Sequence, residues 1–251
     1  MKLLKIKGTG FSNLLSNIFF SMSTIYHPTS IYINEVYQST ITYTYDFTQI
    51  INIVKLEWSN PIDNCIKMFE GCSNITEIDL SNFDTSQVTD MDWIFAYCSK
   101  LPSLDLSHFK TSKVTRMRGL FYHCYELSSV DLSSFDTSNV VDIAGMFFNN
   151  FKLTSVDVSN FNTSNVKDMI HMFLNCSLLS SLNLSNFDTS QVTDINSMFM
   201  GCSLLTSLNL SNFDTSQVTS MFNMFNGCSK LEYINLKKFK ENNNLNVKYQ
   251  N

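Results

Sequence analysis

The sequence predicts an α/β solenoid of stacked 26-residue coils, and three observations carry that prediction. Seven phenylalanines, Phe69, Phe95, Phe121, Phe147, Phe173, Phe199 and Phe225, stand 26 residues apart without drift. A fixed period of roughly 20 to 30 residues marks a chain in which each repeat is one coil stacked on the next. Within each period a strand-like pair of leucines is followed by apolar residues spaced for one face of a short helix. Finally, the 251 residues are 44% hydrophobic and 16% charged, which excludes disorder for most of the chain.

The strand of each coil is read from Ile78 and Leu80, Leu104 and Leu106, Leu132, and so on to Ile234 and Leu236, with Phe83, Phe109 or an equivalent just beyond. Alternation with period two buries one face. The helix is read from Met91, Ile94, Phe95 and Cys98, at i, i+3, i+4 and i+7. Ser86 or Thr89 can cap it, and Asp90 or Asp92 suits its first turn. Between them lie the pairs Thr85-Ser86, Thr111-Ser112, Thr137-Ser138, Thr163-Ser164, Thr189-Ser190 and Thr215-Ser216, which can bond turn backbone. Strands stack at about 4.8 Å, whereas a helix is about 10 Å across. The expected stack is therefore curved, with parallel strands on the concave face and short helices on the convex face.

The repeat Cys-Ser-x-Leu-x-x-Leu-x-Leu-Ser-x-Phe-x-Thr-Ser-x-Val-x-x-Met-x-x-Met-Phe stands here as CSLLTSLNLSNFDTSQVTSMFNMF over Cys202–Phe225. It resembles the BspA-like leucine-rich repeat, a 26-residue bacterial surface-protein repeat, over about residues 68–239. The resemblance implies a right-handed leucine-rich-repeat solenoid that binds or adheres at the surfaces of bacteria and some protists. It implies no catalytic residues and no cofactor.

The ends are read separately. Residues 1–30 form a leader or a disordered segment. Lys2, Lys5 and Lys7 precede Phe11–Met22, but Ser12, Asn13, Ser16, Asn17 and Ser21 interrupt the apolar run, so it is a signal peptide in outline only. Residues 31–67 form a β-rich cap with a degenerate first coil, in which Val54 aligns with Leu80 and Cys65 with Met91. Residues 240–251 form a polar tail. No run reaches the roughly 18 to 20 apolar residues of a membrane span, so no transmembrane segment is expected.

Net charge is −5. Residues 70–236 hold 17 acids and 8 bases, and the rest 5 acids and 9 bases. An acidic body argues against nucleic acid as partner. Six cysteines form a column, Cys72, Cys98, Cys124, Cys176, Cys202 and Cys228, with Asn150 on the missing rung. A spacing of one per coil suits buried free thiols better than a metal site, and neighbouring rungs leave a disulfide open. Sequons at Asn74, Asn162, Asn175, Asn183 and Asn209 arise from the repeat itself.

Function in such a scaffold resides where side chains leave the core or where coils differ. Asp79, Asp105, Asp131, Asp157, Asn183 and Asn209 lie between or beside the strand leucines and point outward. They are either a solvated strand face or a ligand-binding strip. His108, Lys110, Lys113, Arg116, Arg118 and His123 make one coil basic. They either pair with Asp90 and Asp142 in neighbouring coils or dock an anionic partner. Trp93, Tyr97, Tyr122, Phe148 and Phe222 fall on outward positions of the expected helices, as interface anchors or as packing between neighbouring helices. Four histidines, with no Gly-rich phosphate loop and no nucleophile-base pair, give no basis for catalysis. The expectation is a non-enzymatic, monomeric binding or adhesion module for a protein or surface glycan, secreted or at the cell surface. An intracellular scaffold for protein-protein interaction is the alternative.

Overall fold

A computed structural model of the protein describes residues 2–7, 10–237 and 239. The polar tail read at 240–251 lies outside the described residues. Within residues 1–30, read as a leader or disordered segment, the structure has strands and a helix. These are β1 (Lys2–Lys7), β2 (Gly10–Asn13), α1 (Asn17–Met22) and a 3-10 turn at Thr24–Tyr26. Ser16 caps α1, its hydroxyl accepting the Phe19 amide at 3.0 Å. There follow β3 (Ser30–Ile33), β4 (Val36–Tyr37), β5 (Thr44–Phe47), β6 (Ile51–Glu57) and β7 (Ile75–Asp79). One sheet runs in the order β4-β3-β6-β1-β7 with antiparallel pairing throughout, and β2 pairs with β5. Strand β1 thus separates the strand of the degenerate coil, β6, from that of the first regular coil. Leu14, Leu15, Phe19, Ile31, Phe47, Val54 and Leu56 join the same core as Phe69 and Ile75, closing that end of the stack.

The later coils carry strands three residues long: β8 (Ser103–Asp105), β9 (Ser129–Asp131), β10 (Ser207–Asn209) and β11 (Tyr233–Asn235). β8 pairs with β9 and β10 with β11, both parallel and in register. Their middle residues, Leu104, Val130, Leu208 and Ile234, face inward and the flanking ones outward.

The expected convex-face helices are absent from the described residues, which is the main correction to the fold. Residues 91–98 and their equivalents form successive turns. The amides of Ile94, Ala96 and Cys98 bond back three residues, but those of Met91, Trp93, Phe95 and Tyr97 bond forward to the carbonyls of Arg116, Arg118, Leu120 and Tyr122 in the next coil. Four such bonds, 2.6–3.2 Å long, join each of six successive coil pairs. Every fourth residue has positive φ: Trp93 (59°) and Tyr97 (60°), then Gly119 and His123, then Gly145 and Asn149. A residue in the left-handed region ends a helical turn, so the α-helix cannot propagate past it. The width argument for curvature falls with the helices, because hydrogen bonds join the coils on this face as they do strands.

Two columns of stacked phenylalanine fill the interior. Phe69 to Phe225 lie with ring centroids 5.4–6.0 Å apart, and Phe83 is 6.0 Å from Phe109 in a second column that ends at Phe239. All seven cysteines are free. The Cys98 thiol donates to the Phe69 carbonyl at 3.2 Å, and Cys124, Cys176, Cys202 and Cys228 repeat the bond one coil on. At the missing rung the Asn150 amide donates to Phe121 at 2.9 Å. The buried threonines make a third column. Thr111 Oγ1 donates to the Asp136 carbonyl (2.9 Å) and accepts the Asp136 amide (2.8 Å), so one side chain imitates a strand bridge.

Candidate functional site

The outward strip follows from the strand alternation. Asp79, Asp105, Asp131, Asp157, Asn183 and Asn209 are all exposed and follow one another coil by coil. Each has a structural task that the sequence reading did not see. Its Oδ1 accepts the amide of the serine two residues on, at 3.0, 2.9, 2.9, 2.9, 3.1 and 3.1 Å in that order. At Asp79, Asp105, Asp131 and Asn209 this turn ends the strand, whereas the expected strands at 155–157 and 181–183 are not formed and only the turn remains. The same serines hold the four carboxyls below the ordinary aspartate range, the amide being the main cause at Asp79 and the hydroxyl at the other three. Mutual repulsion along the strip is thereby offset one coil at a time. Ser103, Asp105, Ser129, Asp131, Ser133 and Asp157 line an open depression of about 490 Å³ over Leu104, Val130 and Leu132. The strip is thus a polar rim over a small apolar floor.

The basic coil divides in two. Arg116 and Arg118 pair with acids along the turn column. Arg116 reaches Asp92 at 2.7 Å, with Asp90 and Asp142 both at 3.7 Å. Arg118 reaches Asp142 at 2.9 Å, and its far nitrogen meets Asp168. Of these acids, Asp90 and Asp142 were visible from rung spacing, and Asp92 and Asp168 were not. Burial keeps the Asp92 carboxyl above its ordinary range despite the arginines, while the bond to Asp92 raises Arg116. The acid's shift reflects the cost of its burial and the arginine's shift the attraction; both describe one half-buried network. Lys110 and Lys113 remain exposed, and Lys113 Nζ donates to Gln87 Oε1 at 2.7 Å. Of the basic coil, His108 lies near Asp79 and Asp105 on the strip, whereas Arg116 and Arg118 belong to the turn column.

The outward aromatics pack mainly on one another. Trp93 and Tyr97 lie 4.9 and 5.6 Å from Tyr122, which stacks on Phe148 at 4.4 Å. His123 stacks on Tyr97 at 4.9 Å, and burial lowers its pKa. Phe222 is 54% exposed and stands apart from this group. Among the described residues no cluster of His, Cys, Asp and Glu could hold a metal ion, and no helix is long and apolar enough to cross a membrane.

Comparison with known families gives two matches. The family described as Mycoplasma protein of unknown function, DUF285, matches residues 63–181 and 148–250, more than half of the chain. The BspA type leucine rich repeat region, in 6 copies, matches residues 3–110. Together they span the capped end and the regular coils. No curated protein and no solved structure matches the chain.

Proposed function

Because the chain belongs to the DUF285 family and carries a BspA-type leucine-rich repeat, we propose that it is a non-enzymatic binding module that uses its outward strand face at a cell surface. The observation that carries this reading is the strip itself. Carboxylates on successive coils are exposed and held below the ordinary aspartate range by the serines two residues on, and Asp105, Asp131 and Asp157 rim an apolar floor. That chemistry suits an extended polypeptide with basic side chains at strand spacing, held by charge at the rim and by apolar contact below. Right-handed winding and a monomeric state belong to the same reading. So does adhesion, with a surface glycan as the other possible ligand class.

The test is a pull-down from surface extracts with the native chain and a variant carrying Asp79→Asn, Asp105→Asn, Asp131→Asn and Asp157→Asn. Asparagine keeps the turn, since Asn183 and Asn209 already make it. The variant should stay folded and lose its partner; unchanged capture would remove the strip from consideration. One observation favours an intracellular scaffold instead: all seven cysteines are free, which suits a reducing compartment. Protease protection in intact cells separates the two locations.

A further inference from the structure

The outward rings of the turn column are concentrated in three successive coils in mid-stack, and the backbone carries them at a cost. Tyr97 and His123 have φ of 60° and 59°, at the position where Gly71, Gly201 and Gly227 stand in other coils. Bulky residues are strained in the left-handed region, and such strain points to function. Tyr125 and Phe151 take the position held by Ser73, Ser99, Ser177, Ser203 and Ser229 elsewhere. The hydroxyls of Ser177, Ser203 and Ser229 donate to a carbonyl one coil back. Phe151 has no hydroxyl for that bond, and the Tyr125 hydroxyl meets His123 Nδ1 at 2.6 Å instead. The other coils close without these rings, so packing alone does not call for them. They overlap like tiles. Tyr97 and His123 are within 12° of parallel with centroids 4.9 Å apart, and Tyr125 and Phe151 within 15° at 5.5 Å. Parallel rings in direct contact are about 3.5–4.0 Å apart, so each pair is slipped sideways and leaves part of its faces uncovered. Tyr97, Tyr125 and Phe151 are 42%, 37% and 40% exposed. The rung before Tyr97 is Gly71, where an added Cβ would meet no atom within 4 Å, so space lies open beside the platform.

We propose that this platform binds a neutral, extended glycan, whose sugar rings lay their C–H faces on Tyr97, Tyr125 and Phe151. The groups beside the rings are uncharged donors and acceptors, as sugar hydroxyls require. The Asn149 amide lies 3.4 Å from the ring nitrogens of His123, and the Asn175 amide donates to Asn149 Oδ1 at 2.7 Å. Burial lowers the His123 pKa, so the imidazole is neutral at pH 7. Lys152 and Glu126 neutralise each other at 2.6 Å. An anionic sugar would be repelled by the acidic body. A polypeptide strand would find no backbone edge to pair with, because the amides of Tyr97, His123 and Asn149 are spent on carbonyls of the next coil. The contacts among the rings hold them in place before a ligand arrives, which lowers the entropy lost on binding. The platform is separate from the aspartate strip and does not depend on it.

The probes are cellohexaose, a hexameric oligouronate and an octaproline peptide, each titrated calorimetrically onto the full 251-residue chain. Cellohexaose should bind with a Kd of about 1 mM or tighter, and added salt should leave that value unchanged, since no charge is paired. The oligouronate should bind more weakly. Tyr125→Ser with Phe151→Ser restores the residue that five other coils carry and should weaken cellohexaose binding about tenfold or more. Tyr97→Gly, which restores the glycine of three other coils, should weaken it as well while the denaturant midpoint holds or rises. Phe222→Ser removes an exposed ring outside the group, and Asp105→Asn a carboxylate of the strip; both should leave cellohexaose binding unchanged. Absence of cellohexaose binding, binding insensitive to the serine and glycine variants, preference for the oligouronate, or tighter binding of octaproline would each overturn the proposal.

Discussion

Asn150 shows how narrow the tolerance of each rung is. Its amide group reproduces the bond that cysteine makes elsewhere, but its Oδ1 is buried with no partner. An unmet buried acceptor costs about 1–3 kcal/mol. Asn150→Cys should therefore stabilise the protein by about 1 kcal/mol in urea unfolding. The thiol column also has a pH signature. Burial pushes Cys124 up to about 12 and Cys228 up to about 11. An acid whose pKa is raised by folding stabilises fully below its unfolded value, here 9.0, and loses that contribution as pH climbs toward the folded value. Stability should hold to about pH 9 and then fall toward pH 12, as measured by denaturant midpoints across pH. Below pH 9, thiol reagents should label the native chain slowly and the denatured chain at once. Residue columns also compensate across coils. Arg116 and Ser220 replace the Asp or Asn that elsewhere accepts the amide two residues on. In those two coils Asp92 and Asn196, from the coil before, accept the Arg118 and Phe222 amides instead.

At the scale of the element, the expected helix and the observed turn array differ for a physical reason. The array repeats every four residues through its left-handed positions, so apolar residues spaced for a helix face also suit these turns. The sequence did hold a signal against the helix. The chain has only seven glycines, and Gly71, Gly119, Gly145, Gly201 and Gly227 all fall at the left-handed positions. Glycine inside a helix costs about 1 kcal/mol relative to alanine, so concentrating the scarce glycines there argues for positive φ. Gly119 has φ +59°, and a Cβ on it would lie 2.4 Å from the Trp93 ring. Gly119→Ala should cost about 1–3 kcal/mol, and Trp93→Ala in the same chain should recover part of it by opening the space. The inward and outward alternation of the strand half was legible because it directly reports a buried face, but the strands themselves form in only five of the coils, those of Ile78, Leu104, Val130, Leu208 and Ile234. The strip was legible as a position, but its serine bonds were not, since they depend on the chain turning at the end of each strand.

For the whole molecule, rung spacing identified the columns but could not show which way their hydrogen bonds point, because direction is a backbone property shared by every side chain in the column. Charge pairing was half legible: the rungs of Asp90 and Asp142 flank Arg116 in sequence register, but Arg118 reaches Asp168 two coils away. That pair ties coils that do not touch in the strand face. Arg118→Met should destabilise by about 1–2 kcal/mol, less than a fully buried pair because the side chains are partly screened, and 1 M salt should shrink the difference in chemical denaturation.

The one-way bonding also has a consequence for how the chain is made. Synthesis delivers the coils from the capped end onward. Each completed coil leaves four amides free, and the carbonyls they need belong to the residues that emerge next. The nascent chain can therefore close coil by coil, in the order of translation, with every finished coil serving as template for the one behind it.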